Sequence, residues 1–250
     1  MKLKRLLLSA FIAIIASSLF SALAGDTYVV AAGVSAYVKA PKLNICDRDA
    51  NEFAKTMKKA GCHVSVFTSS NATHDNIIYA IRRIAKRANP DDRFVFYFSG
   101  HGAEGNLVAY DGSKKFLIPY TELIKEMSAV NAGQKVAFID ACFSGTVETA
   151  LVSEPGDWQS DAKNKNVILF MSSDAKESSL VSNFAGNSFF TRSVLNCLQG
   201  LCDKNRDKKI TMGEMFEYIS GDVKRRSKGE QNPVLISSPE NLNAVFMKWR

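Results

Sequence analysis

The chain has 250 residues, 46% of them hydrophobic and 23% charged, with 15 Gly and 6 Pro. That composition excludes a disordered or fibrous chain and fits one ordinary globular domain. Lys and Arg number 32 against 25 Asp and Glu, but part of this excess lies in the N-terminal segment. Met1–Ala24 has a basic start (Lys2, Lys4, Arg5), an apolar run from Leu6 to Phe20, and an Ala22-Leu23-Ala24 ending before Gly25. This is the three-part plan of a secretory signal peptide cleaved after Ala24, and the apolar run is short for a membrane span. The mature chain is then residues 25–250, secreted or periplasmic, with a net charge of +4 scattered along it. So mild a charge does not point to nucleic acid, and after cleavage nothing points to a membrane.

Short apolar runs rich in Val, Ile, Phe and Tyr recur at 28–33, 63–68, 93–98, 135–140 and 167–171. Several are apolar on both faces, as in strands buried between helices in a parallel sheet. Amphipathic stretches lie between them: 47–60 closed by Gly61; 73–88, with Thr73 as N-cap and Pro90 just beyond; and 119–130. The alternation predicts an α/β fold. The polar stretch 148–166, with Pro155, Gly156, Lys163 and Lys165, reads as an exposed loop and a place for self-processing. A Ser-rich loop follows 171, then a helix over 187–198, a polar stretch 203–214, a helix ending near Arg226, and a short strand at 233–237.

Two strands end on chemistry. Phe94–Phe98 runs into Ser99-Gly100-His101-Gly102, and Val136–Asp140 runs into Ala141-Cys142-Phe143-Ser144-Gly145. In open parallel sheets, ligands bind beyond the carboxyl ends of the strands. A thiolate is a strong nucleophile, and an imidazole beside it can take its proton and return it to a leaving group. The five cysteines, at 46, 62, 142, 197 and 202, include no Cys-x-x-Cys pair, so zinc and thioredoxin-like readings are weak. Cys197 and Cys202 are close enough in sequence to pair. Cys46 and Cys62 bracket a helix that would hold them about 20 Å apart, and should stay reduced.

The Ser-Gly-His-Gly and Asp-Ala-Cys-Phe-Ser-Gly motifs resemble the catalytic signatures of the caspase-like cysteine peptidases, the metacaspases and their bacterial relatives above all. Tyr28…Gly33…Tyr37, Leu43…Cys46-x-x-Asp49-Ala50, Asn71-x-Thr73, Asp91-Asp92 and Phe189-Phe190-Thr191 extend the resemblance over nearly the whole mature chain. It implies a three-layer α/β sandwich around a mostly parallel six-stranded sheet. It also implies a peptidase in which Cys142 attacks, His101 moves protons, and the backbone N–H groups of Gly102 and Cys142 hold the oxyanion. Metacaspases bind Arg or Lys in an acidic pocket; Asp49 and Asp140 stand at its acidic positions, with Cys46 and Ser99 completing it. Without the resemblance, Asp49 is a helix cap and Asp140 a strand end. Other readings remain: a caspase-fold peptidase of legumain or clostripain type, or an idle domain that binds a peptide without cutting it.

No cofactor is implied. Asp111-Gly112-Ser113-Lys114-Lys115 lacks the extra acidic residues of calcium-dependent metacaspases. Asp203, Asn205, Asp207 and Glu214 copy the spacing of an EF-hand calcium loop. Lys208 takes the place of the turn Gly there, and Lys204, Arg206 and Lys209 crowd the ligands, so a polar turn is the simpler reading. The partner expected is a peptide or protein substrate.

Overall fold

The computed structural model describes residues 25–142, 157–173 and 186–248. The signal segment, the motif residues Phe143-Ser144-Gly145 and most of the Ser-rich loop lie outside them. Five strands predicted from apolar runs form the parallel part of the sheet: β1 (Thr27–Gly33), β2 (His63–Thr68) at its edge, β3 (Arg93–Ala103), β6 (Gln134–Cys142) and β7 (Val167–Met171). The strand order is β2-β1-β3-β6-β7-β9, where β9 is Val234–Ile236. The first five strands run parallel, and β9 closes the edge antiparallel to β7. Two short strands missed by the sequence reading, β4 (Asn106–Val108) and β5 (Leu117–Pro119), branch antiparallel from the end of β3. A separate ribbon pairs β8 (Lys209–Thr211) with β10 (Val245–Lys248).

Alternate residues of the strands feed two cores, as the period of 2 requires. On one face, Val30, Phe94, Phe96, Ala137 and Leu169 pack under α2 (His74–Ala85), α3 (Tyr120–Ser128) and α4 (Trp158–Asn164). On the other, Val29, Val95, Tyr97, Val136 and Phe138 pack under α1 (Cys46–Lys59), α5 (Phe189–Leu198) and α6 (Met212–Arg226). The result is the three-layer sandwich. Gly33 lets α1 approach the sheet, since a Cβ there would stand 2.2 Å from the Cys46 carbonyl. Among the described residues, no helix is long and apolar enough to cross a membrane.

Several local expectations meet their cause. The Thr73 side chain accepts the Asn76 N–H and starts α2. Cys197 and Cys202 are joined by a disulfide with Cα atoms 4.8 Å apart, while Cys46 and Cys62 remain thiols. Asp203, Asn205 and Asp207 accept the N–H groups of Lys208, Asp207 and Lys209 in a polar turn, where Arg206 and Lys208 take positive φ. Glu214 closes a capping box with Thr211 at the start of α6.

The stretch 148–166 is corrected in its second half. Asp157 accepts the Ser160 N–H as an N-cap, and Trp158 and Ala162, four residues apart, are buried on one face of α4. Its high polar content hid a two-residue apolar face. Lys163 and Lys165 are exposed, but Lys163 is helical and must unwind to be cut.

Candidate active site

The ladder between β3 and β6 does not stop where the apolar runs end. It continues through three more pairs, Ser99 with Asp140, Gly100 with Ala141, and His101 with Cys142. Neighbouring strands lie about 4.8 Å apart, so the backbones of His101 and Cys142 are adjacent despite their distance in sequence. Ser99 and His101 follow Tyr97 at intervals of two, and Asp140 follows Phe138. Ser99, His101 and Asp140 are all buried. The motifs are therefore the last strand residues, held by the ladder, rather than loops beyond it.

His101 is fixed at both its backbone and its ring. Its N–H donates to the Tyr37 hydroxyl at 2.9 Å, and that hydroxyl donates to the Val108 carbonyl at 2.7 Å. The Tyr37 and His101 rings lie 4.6 Å apart between centroids. Gly100 makes room for this contact, since a Cβ there would come 2.6 Å from the Tyr37 oxygen. The ring Nε2 of His101 lies 2.7 Å from the Pro41 carbonyl oxygen. A carbonyl can only accept, so Nε2 carries the proton and Nδ1 keeps its lone pair in the neutral ring. Sequence reading offered no third partner for His101, because a backbone carbonyl leaves no side-chain signal.

Asp49, in the first turn of α1, and Asp140, near the end of β6, meet at the start of α5. Asn187 Nδ2 donates to Asp49 Oδ1 at 2.7 Å. Ser188 bridges the pair, its N–H donating to Asp49 at 3.4 Å and its hydroxyl to Asp140. The Thr191 hydroxyl donates to Asp140 at 2.8 Å and contacts the Tyr97 hydroxyl at 2.5 Å. Burial first, and then the negative charge of Asp140, push the Asp49 carboxyl up to about 7. Cys46 sits one turn before Asp49 on the same side of α1 and is buried with it. Ser99 pairs in register with Asp140. The residues expected to form the pocket thus lie on α1, β3 and β6, and Asn187, Ser188 and Thr191, at the start of α5, bond the two carboxylates among them.

These three partners were missed in sequence. Ser188 is readable as a helix cap, and it does accept the Thr191 N–H; its reach to two carboxylates on other elements is not readable. Gly102, the other oxyanion candidate, follows His101 on β3 and pairs with Leu107 of β4.

Residues 27–243 match the family described as the caspase domain. The chain belongs to that family. Its fold is also that of a crystal structure, protein GSU0716 from Geobacter sulfurreducens, at 19% sequence identity with a TM-score of 0.61. The match covers 87% of this chain and 97% of that one. No curated protein matches. As a caspase domain, this chain carries the paired ends of β3 and β6 on two neighbouring strands inside the sheet.

Proposed function

We propose that this chain is an exported cysteine endopeptidase that cuts after Arg or Lys. The observation that carries the reading is the register of β3 and β6, which pairs His101 with Cys142 and, two residues back, Ser99 with the acidic pocket residue Asp140. Cys142 attacks the scissile carbonyl as a thiolate, and His101 takes the thiol proton and returns it to the leaving amine. Backbone N–H groups at Gly102 and Cys142 receive the oxyanion, each such donor contributing about 2.7–4 kcal/mol in related acyl transfers. Water, activated by His101, then releases the acyl group.

Specificity follows from charge. Two buried carboxylates repel each other, and a guanidinium or ammonium placed between them relieves the repulsion. Arg offers a planar fork able to engage both, so it is the preferred side chain over Lys. Export is supported by the basic, apolar and Ala-Leu-Ala parts of residues 1–24 and by the Cys197–Cys202 disulfide, a bond of oxidising compartments.

The test is a panel of fluorogenic peptides differing only in the residue before the scissile bond. Cleavage after Arg and Lys, with negligible cleavage after Asp, is expected. Preference for Asp, Asn or an apolar residue would overturn the pocket reading, and no cleavage of any peptide would overturn the peptidase reading.

A further inference from the structure

The residues that connect β1 to α1, 34–45, cross the carboxyl end of the sheet beside His101. Val34, Tyr37 and Ile45 are buried, but the part from 38 to 42 is largely exposed: Val38 is 63% exposed, and Lys39, Pro41 and Lys42 are exposed too. The backbone N–H groups of that exposed part converge on one carboxylate. Asp111, only 1% exposed, accepts three successive backbone N–H groups, Val38 at 2.6 Å on Oδ1, and Lys39 at 2.8 Å and Ala40 at 2.7 Å on Oδ2. Amides converging in this way form an anion nest, and the anion fixes the orientation of each peptide plane. The next residue is Pro41, which has no N–H of its own. Its carbonyl is the one that accepts from His101 Nε2.

Asp111 is itself anchored to the strand that carries His101. Two residues earlier, the Ala109 N–H donates to the Phe116 carbonyl, and the Tyr110 N–H donates to the Ala72 carbonyl. Just before these, β4 pairs with Gly102 and Ala103 at the end of β3. The route from Asp111 through residues 38–41 and His101 back along β3 and β4 is thus closed by hydrogen bonds joined through short runs of main chain.

We propose that Asp111 is a positioning residue for the reaction. By clamping the amides of residues 38–40 it holds the Pro41 carbonyl against His101 Nε2, which keeps Nδ1 as the proton acceptor for Cys142. The proposal rests on the reading of Cys142 and His101 as the reacting pair. The carboxylate of Asp111 is hydrogen-bonded to backbone amides of residues 38–40, whereas Asp49 and Asp140 are bonded to Asn187, Ser188 and Thr191. Its loss is therefore felt in turnover rather than in substrate binding.

The experiment uses Asp111→Asn in the full chain. Asn keeps the shape, but its amide nitrogen would face N–H donors, so part of the nest must open. Asp111→Glu, which keeps the charge but displaces it by one methylene, is the companion variant. For each, kcat and KM are measured on an Arg peptide, with kcat expressed per folded molecule. The rate at which iodoacetamide alkylates Cys142 at pH 7 is followed by peptide mass spectrometry. Burial pushes the Cys62 thiol up to about 11, so its background reaction is slow.

Misplacing a catalytic group by about 1 Å costs on the order of 100-fold in rate. A fall of roughly that size in kcat, with KM little changed and Cys142 alkylation slowed in parallel, is the expected result. Unchanged kcat per folded molecule overturns the proposal. So does unfolding of both variants, which would make Asp111 a stability residue. If the unmodified protein neither cleaves the peptide nor alkylates at Cys142, the reacting pair is wrong, and the role of Asp111 falls with it.

Discussion

Replacing Asp49 with Asn should make the protein more stable and a worse enzyme, and the two effects have one cause. Asp49 is fully buried, and its carboxyl is pushed from 3.8 to about 7 by burial and by Asp140. A raised carboxyl favours the protonated form in the folded state, so ionising it costs folding free energy. That cost is absent below pH 4, grows between about pH 4 and 7, and is complete above pH 7. At about 1.4 kcal/mol per pH unit the whole displacement corresponds to about 4 kcal/mol. Part of it belongs to Asp140 through their mutual repulsion, so the gain from Asp49→Asn at pH 8 is about 1–3 kcal/mol. Asn retains an oxygen for the Asn187 amide at 2.7 Å, and its amide nitrogen, like the hydroxyl of the protonated carboxyl, replaces only the oxygen that accepts the long 3.4 Å bond from the Ser188 N–H. Urea unfolding of both proteins at pH 4 and pH 8 reads this directly: the curves should nearly coincide at pH 4 and separate at pH 8, the variant being the more stable. Peptide kinetics at pH 8 read the other side, with kcat/KM for an Arg substrate falling by about 2–5 kcal/mol and that for a Gln substrate barely moving. A variant less stable at pH 8, or one that loses activity equally on both substrates, would refute the argument.

Cys142→Ala and His101→Ala should each abolish turnover, and circular dichroism should find the Cys142→Ala fold intact; activity comparable to the unmodified protein in either would sink the dyad. The same Cys142→Ala protein is the control for self-processing. A cut after Lys163 or Lys165 should appear in the mass spectrum of the active form alone, and because Lys163 is helical, the cut after Lys165 should come first. Thiol titration of unfolded, unreduced protein should find three of the five cysteines reactive, and five would exclude the Cys197–Cys202 bond.

The strands at the centre of the sheet were legible because they are buried on both faces: unbroken runs such as Phe94–Phe98 and Val167–Met171 have no other stable use. His101 and Cys142 were legible because each follows such a run among small residues. The short strands β4, β5, β8 and β10 were not legible, since three or four residues carry no period of their own and owe their form to pairing. The helix α4 was hidden for a related reason, with Trp158 and Ala162 its only buried residues. Least legible were the hydrogen-bond partners around these strand ends. Pro41 meets His101 through its carbonyl, Asp111 meets three backbone amides, and Ser188 bridges carboxylates 48 and 139 residues away; none of these contacts leaves a local pattern.

The buried carboxylate cluster is assembled from two stretches of chain that meet only in the fold. Asp49, Ser99, His101, Asp140 and Cys142 all precede residue 143, while Asn187, Ser188 and Thr191 follow residue 185. What joins the two stretches is the five-residue register of β6 with β7 in the interior of the sheet, together with helices from both stretches on each face. Once folding is complete, these contacts between residues 25–142 and 157–248 are enough to hold the strand order and both cores across a break between them. A chain nicked there has two new ends but the same strand order, the same cores and the same carboxylate pair bridged by Ser188. Its halves would travel through purification as one particle and separate only under denaturant, and the first half alone would keep both carboxylates but lose the Ser188 bridge between them.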